Sequence, residues 1–101
     1  MARWLAIFED QPEEQSSLVR KQFAKDHLDY LSSNEHGILL AGALRDEPEG
    51  GTCGGAWVLE ASSRADAAAL CENDPFYRHG VRKSYRLYAW GKAPVFGAVS
   101  L

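Results

Sequence analysis

Cysteine is scarce in this chain: there are 2 among 101 residues, Cys53 and Cys71, far apart in sequence. That excludes a disulfide scaffold. With His27, His36 and His79 showing no CxxC, HxH or HExxH spacing, no metal site is expected either. Unpaired, buried thiols in a reducing cytoplasm are the expectation. Long apolar runs are absent too. No segment nears the roughly 20 residues of a membrane span, and the stretch from Ala2 to Phe8 is too short for a signal peptide and precedes no cleavage pattern. Positive charge is not concentrated: 11 Lys and Arg against 14 Asp and Glu leave a net charge of −3. The one basic cluster (Arg78, Arg82, Lys83, Arg86) is sparse for a nucleic-acid backbone, although a mildly cationic rim suits a small anionic ligand. Gly50-Gly51 and Gly54-Gly55 precede neither a helix nor a Lys-Ser/Thr pair, so they form no phosphate loop and imply no cofactor. They read as hairpin glycines, with Gly54 and Gly55 leaving room for a ligand or another subunit.

What the chain has in quantity is apolar surface. Hydrophobic residues make up 46% and aromatics 11% of the sequence, ample for the core of one domain spanning residues 1–101. Arg3 to Glu9 is apolar on both faces and reads as a central strand. Asp10-Gln11-Pro12 breaks it, and Ser16 or Ser17 caps a helix to about Ser33, with Glu13 and Glu14 near its N-terminal dipole. Ile38 to Arg45 and Cys53 to Ala61 read as a hairpin with a loose tip from Asp46 to Gly51. Ser62 or Ser63 caps a helix from Arg64 to Glu72, Asn73-Asp74-Pro75 stops it, and Val81 to Trp90 is the last strand. The order β-α-β-β-α-β predicts an α+β, ferredoxin-like fold, a four-stranded antiparallel sheet with both helices on one face. The other face, carrying large residues such as Trp57 or Tyr88, needs a cover. A homodimer with sheets face to face is the expected solution.

One polar residue interrupts this pattern. At about 100° per residue, the first helix gathers Val19, Arg20, Phe23, Ala24, His27, Leu28, Tyr30 and Leu31 on one arc, with His27 near its middle. A polar group there is costly unless it finds a partner or faces a cavity. A satisfied core histidine, with Arg20 reaching to water, is the plain reading. The chemical one pairs His27 with Asp74 as an acid–base dyad in a pocket. Asp74 before Pro75 is also a natural helix N-cap, and a carboxylate has lone pairs enough for both roles. His79 reads as a solvated loop residue, and Cys53 lacks any sign of activation as a nucleophile.

The ordered set His27-Leu28-Asp29-Tyr30-Leu31, Gly37 to Gly42, Gly54-Gly55-Ala56-Trp57, Asp74-Pro75-Phe76 and Tyr88-Ala89-Trp90 resembles the YCII-related (YciI-like) family of small bacterial proteins across nearly the whole chain. The departure is Ala41-Gly42-Ala43, where many members carry Ala-Gly-Pro. The resemblance implies a dimeric α+β barrel and a pocket in which His27 faces Asp74. A chlorohydroquinone dehydrochlorinase is among the few relatives with an assigned activity. The functional expectation is a cofactor-independent lyase or isomerase acting on a small cyclic or aromatic acid. His27 and Asp74 would be its catalytic pair, with Arg20, Tyr30, Phe76 and Trp90 binding the substrate. The alternative is a non-catalytic small-molecule binding or regulatory dimeric domain. Neither nucleic acid nor membrane is an expected partner.

Overall fold

The structure is a computed structural model that describes residues 1–98. Its elements are β1 (Ala2–Asp10), α1 (Glu13–Ser33), β2 (Ile38–Arg45), β3 (Thr52–Ala61), α2 (Arg64–Glu72), α3 (Pro75–Arg78) and β4 (Arg82–Ala89). The four strands form one sheet in the order β2-β3-β1-β4, with every neighbouring pair antiparallel. This is the ferredoxin-like arrangement. β1 is central, as its two-sided apolar pattern requires: Trp4, Ala6 and Phe8 are buried beneath the helices while Leu5 and Ile7 are half-buried on the opposite face.

One helix start differs from the sequence expectation and the other does not. α1 begins at Glu13, because Pro12 takes the N-cap position and its carbonyl accepts the N–H groups of Gln15 and Ser16. Ser16 is then buried within the first turn, and its hydroxyl donates back to the Gln11 carbonyl at 3.2 Å. Glu13 and Glu14 still occupy the first turn, where negative charge complements the helix dipole. α2 starts as its sequence dictates: the Ser63 hydroxyl accepts the Asp66 N–H at 3.1 Å, and Ser62 donates to the Asp66 carboxylate at 2.8 Å.

The sheet's faces also differ from expectation in one residue. Trp57 stands opposite Ala6 on β1 and Ala41 on β2, on the helix-covered side, and is only 1% exposed. Its ring packs against Phe8 at 4.7 Å between centroids. Tyr88 does lie on the open face, opposite Leu5. Leu28, placed on the inward arc of α1, points outward and is 63% exposed. α1 meets the core mainly through Phe23, His27, Tyr30 and Leu31, all half-buried.

The room beside the paired glycines is used internally. A Cβ on Gly54 would sit 2.1 Å from the Phe8 carbonyl oxygen, so β3 and β1 approach too closely there for any side chain. A Cβ on Gly55 would lie 3.2 and 3.3 Å from the two terminal nitrogens of Arg82. Neither glycine leaves space for a ligand.

The cysteines separate into two environments. Cys71 is wholly buried among the core residues, whereas Cys53 is exposed, contrary to the expectation of two buried thiols. Burial, with the charges of Glu72 and Asp74 adding to it, pushes the Cys71 thiol up to about 12. Burial likewise raises the Tyr30 phenol to about 12. Both groups keep their protons in the fold at pH values where the unfolded chain releases them. Stability is therefore complete below about pH 9, the ordinary thiol range, and falls as pH rises from there toward 12. Denaturant titrations at pH 8 and pH 11 should show this loss. A thiol reagent should label one cysteine in the folded protein and both after unfolding.

Candidate functional site

α1 and α3 touch through two stacked ring pairs. The His27 imidazole lies flat on Phe76, with centroids 4.0 Å apart and planes 6° from parallel. One turn earlier, Phe23 stacks on His79 at 3.8 Å. His79 is exposed but is not merely solvated. α3 exists because Asp74 caps it and Pro75 supplies a preset first residue: Asp74 Oδ1 accepts the Phe76 N–H at 3.2 Å.

The same oxygen meets His27. Nδ1 of the imidazole is 2.6 Å from Asp74 Oδ1 across 47 residues of sequence. An ionised carboxylate only accepts, so against such a partner Nδ1 is the donor on this bond and the bare nitrogen of a neutral ring is Nε2. Asp74 is completely buried, while the His27 side chain is 12% exposed, so solvent reaches the pair only at the imidazole.

Two residues that the sequence reading did not assign to the site complete it. Asp10, at the end of β1, holds Arg82 through Oδ1 at 2.8 Å and Arg20 through Oδ2. The Arg82 and Asp10 side chains are each only 3% exposed. Nε of Arg82 faces Oδ2 of Asp74 at 3.9 Å, and neither atom has a hydrogen-bond partner among the described residues. The guanidinium lies over Phe8 at 4.6 Å and 5.5 Å from the Phe76 centroid, with Arg20 4.9 Å from that same ring. The four charges of Asp10, Asp74, Arg20 and Arg82 sum to zero. The result is a fixed polar cluster in an apolar shell, with Arg20 its most exposed member at 26%.

Of the residues expected to bind a substrate, two lie at the dyad and two do not. Arg20 joins it through Asp10 and the Phe76 ring, at the solvent edge. Phe76 is present but 3% exposed, as the surface on which His27 rests and not as an open wall. Tyr30 turns away: its hydroxyl donates to the Leu70 carbonyl at 2.7 Å, and it borders a separate groove with Asn34, Glu60 and Asp66. Trp90 lies at the other end of β1, where its backbone N–H donates to the Arg3 carbonyl at 2.9 Å. Helical periodicity placed Tyr30 and strand alternation placed Trp90, and neither pattern specifies which end of the sheet a side chain reaches.

Arg82 escaped notice because its inward orientation depends on an irregularity. Strict alternation from Tyr85 and Leu87 would turn it outward. The β1–β4 register shifts between Glu9 and Asp10, so that Glu9 opposes Ser84 but Asp10 opposes Arg82. Skipping Lys83 reverses the phase and turns Arg82 toward the helices. Removing its charge should be costly. Arg82→Met leaves two buried carboxylates without their shared cation and should destabilise the fold by about 3–5 kcal/mol, measured by urea unfolding. A loss under about 1 kcal/mol, the range of surface ion pairs, would contradict this account.

Comparison with known proteins bears on the family and the fold. No curated protein matches the chain. Among solved structures, it is similar to the 5-chloro-2-hydroxyhydroquinone dehydrochlorinase of Burkholderia phenoliruptrix, in complex with 2,5-dihydroxybenzoquinone: 25% identity, 90% of this chain and 95% of that one covered, TM-score 0.78. The X-ray structure of a protein from Agrobacterium tumefaciens covers 94% of this chain and 96% of its own at 10% identity and a TM-score of 0.53, a likeness of fold alone. The YCII-related domain matches residues 2–91. The chain belongs to the YCII-related family.

Proposed function

We propose that this chain is a lyase or isomerase that needs no cofactor and acts on a small cyclic or aromatic acid, with His27 as general base and Asp74 as its orienting partner. The observation that carries this reading is the 2.6 Å contact between a fully buried carboxylate and an imidazole whose side chain is 12% exposed. Asp74 fixes the tautomer, so Nε2 presents a lone pair to the substrate. Nε2 removes a proton from a ring carbon or hydroxyl, and the imidazolium that forms is stabilised by the carboxylate behind it. Arg20, at the solvent edge, meets the negative oxygen that develops. In an elimination of the kind the Burkholderia relative is named for, the ring gives its proton to the base and chloride to solvent. HCl leaves in net terms, and no external oxidant is required.

The open face of the sheet supports the homodimer of this proposal. Leu40, Val58, Trp90 and Phe96 line a groove of about 750 Å³ there, and Leu40, Tyr88, Trp90 and Phe96 are each about half exposed or more. Such a surface suits a second copy of the same sheet. No helix among the described residues is long and apolar enough to cross a membrane. The exposed free thiol of Cys53 fits the reducing cytoplasm proposed for the chain.

Two experiments test these readings. Small chlorinated hydroquinones and carboxylated rings, screened by thermal shift and then for chloride release or isomerisation, should yield a substrate whose turnover falls about 100- to 10,000-fold in His27→Ala and Asp74→Asn. Ligand binding without turnover would favour a binding module, and full activity in both variants would overturn the catalytic assignment. Tyr88→Ser should shift the protein toward monomer on sizing chromatography. Trp57→Ser should instead lower stability, since Trp57 is core.

A further inference from the structure

Arg82 is the buried cation closest to the dyad, and the proposal above gives it no role. Three features show that its place is specified. Asp10 holds it through a 2.8 Å bond. Gly55 gives up its side chain, since a Cβ there would come within 3.2 Å of the guanidinium. The β1–β4 register shift turns it inward. A buried arginine needs one counter-ion, and Asp10 already serves. Yet Nε also faces the second oxygen of Asp74, at 3.9 Å and with no other partner.

We infer that Arg82 is a positioning residue: its guanidinium, anchored by Asp10 and admitted by Gly55, holds Asp74 as a carboxylate with Oδ1 turned to His27, and so sets which imidazole nitrogen carries the proton. The reasoning follows from the carboxylate's two oxygens. Oδ1 is occupied by the Phe76 N–H and His27 Nδ1–H. Oδ2 is sealed from water, and among the described residues the cation that faces it is Arg82. Without that cation, the pair takes up one proton from solvent to become neutral: Asp74 is then a protonated acid that donates to Nδ1, and the ring's own proton moves to Nε2. Nε2 then carries the ring proton and has no lone pair for a substrate. This role rests on the His27–Asp74 reading, since it acts entirely through that pair.

The test needs no substrate. The ¹⁵N resonances of protonated and bare imidazole nitrogens are well separated, so long-range ¹H–¹⁵N spectra of the full chain report the His27 tautomer directly. Wild type should show a single form, with Nδ1 protonated and Nε2 bare. Arg82→Gln should lose that single-form pattern or reverse it, and Arg82→Lys should restore part of it. Gly55→Ala keeps Arg82 but crowds its guanidinium, and should move the pattern in the same direction as Arg82→Gln. Amide spectra establish that each variant is folded, and if Arg82→Gln fails to fold, Gly55→Ala decides the matter. A folded variant with the wild-type His27 pattern would overturn the inference. Because turnover is not the readout, an inert protein whose tautomer depends on Arg82 would defeat the catalytic reading and leave this one standing.

Discussion

A carboxylate sealed from water is the constraint around which this structure is arranged. Asp74 has no exposure, and burying an ionised carboxylate is expensive unless partners replace its lost hydration. Those partners come from three elements. The N–H of Phe76 comes from α3, the imidazole of His27 from α1, and the guanidinium of Arg82 from β4. The last of these remains at 3.9 Å, so the charge is offset without a direct hydrogen bond. Docking of α1 on α3 and closure of β4 against β1 therefore bear directly on whether this acid can be buried.

The cation that serves Asp74 is itself held by concessions in the sheet. One residue of β4 is skipped, and one residue of β3 is reduced to glycine. Asp10 then ties Arg82 to Arg20, extending the buried network to the solvent edge. The charges are balanced and the surroundings are aromatic: Phe8 and Phe76 lie against Arg82, and Phe76 and Trp57 flank His27. Groups fixed in this way need little reorganisation when charge develops nearby, which is the condition under which electrostatic stabilisation is strongest.

The two faces of the sheet divide the work. The covered face holds the core and the charged cluster, and the open face carries the apolar groove lined by Leu40, Val58 and Trp90. The chain belongs to the YCII-related family and is similar in fold to a dehydrochlorinase. Fold alone does not fix a reaction.

Much of this molecule was determined locally, by the sequence itself. Alternating and two-sided apolar runs specify the strands, and the span of α2 and its Ser63 cap follow from short-range hydrogen bonding. His27 was legible because it is polar where the local pattern wants an apolar residue, and Asp74 because Asp before Pro marks a helix cap with lone pairs to spare. Only the tertiary structure decided the rest. The start of α1 moved to Glu13 because Pro12 replaced a serine cap, and Trp57 went to the core because pairing with Ala6 and Ala41 sets its face. Tyr30 and Trp90 were separated from the dyad because periodicity gives a side chain's direction but not its position along the sheet. Asp10 read as part of a strand break, and Arg82 stayed hidden for the same kind of reason. A one-residue shift in pairing reverses which side a strand residue faces, and that shift exists only once two distant strands have met.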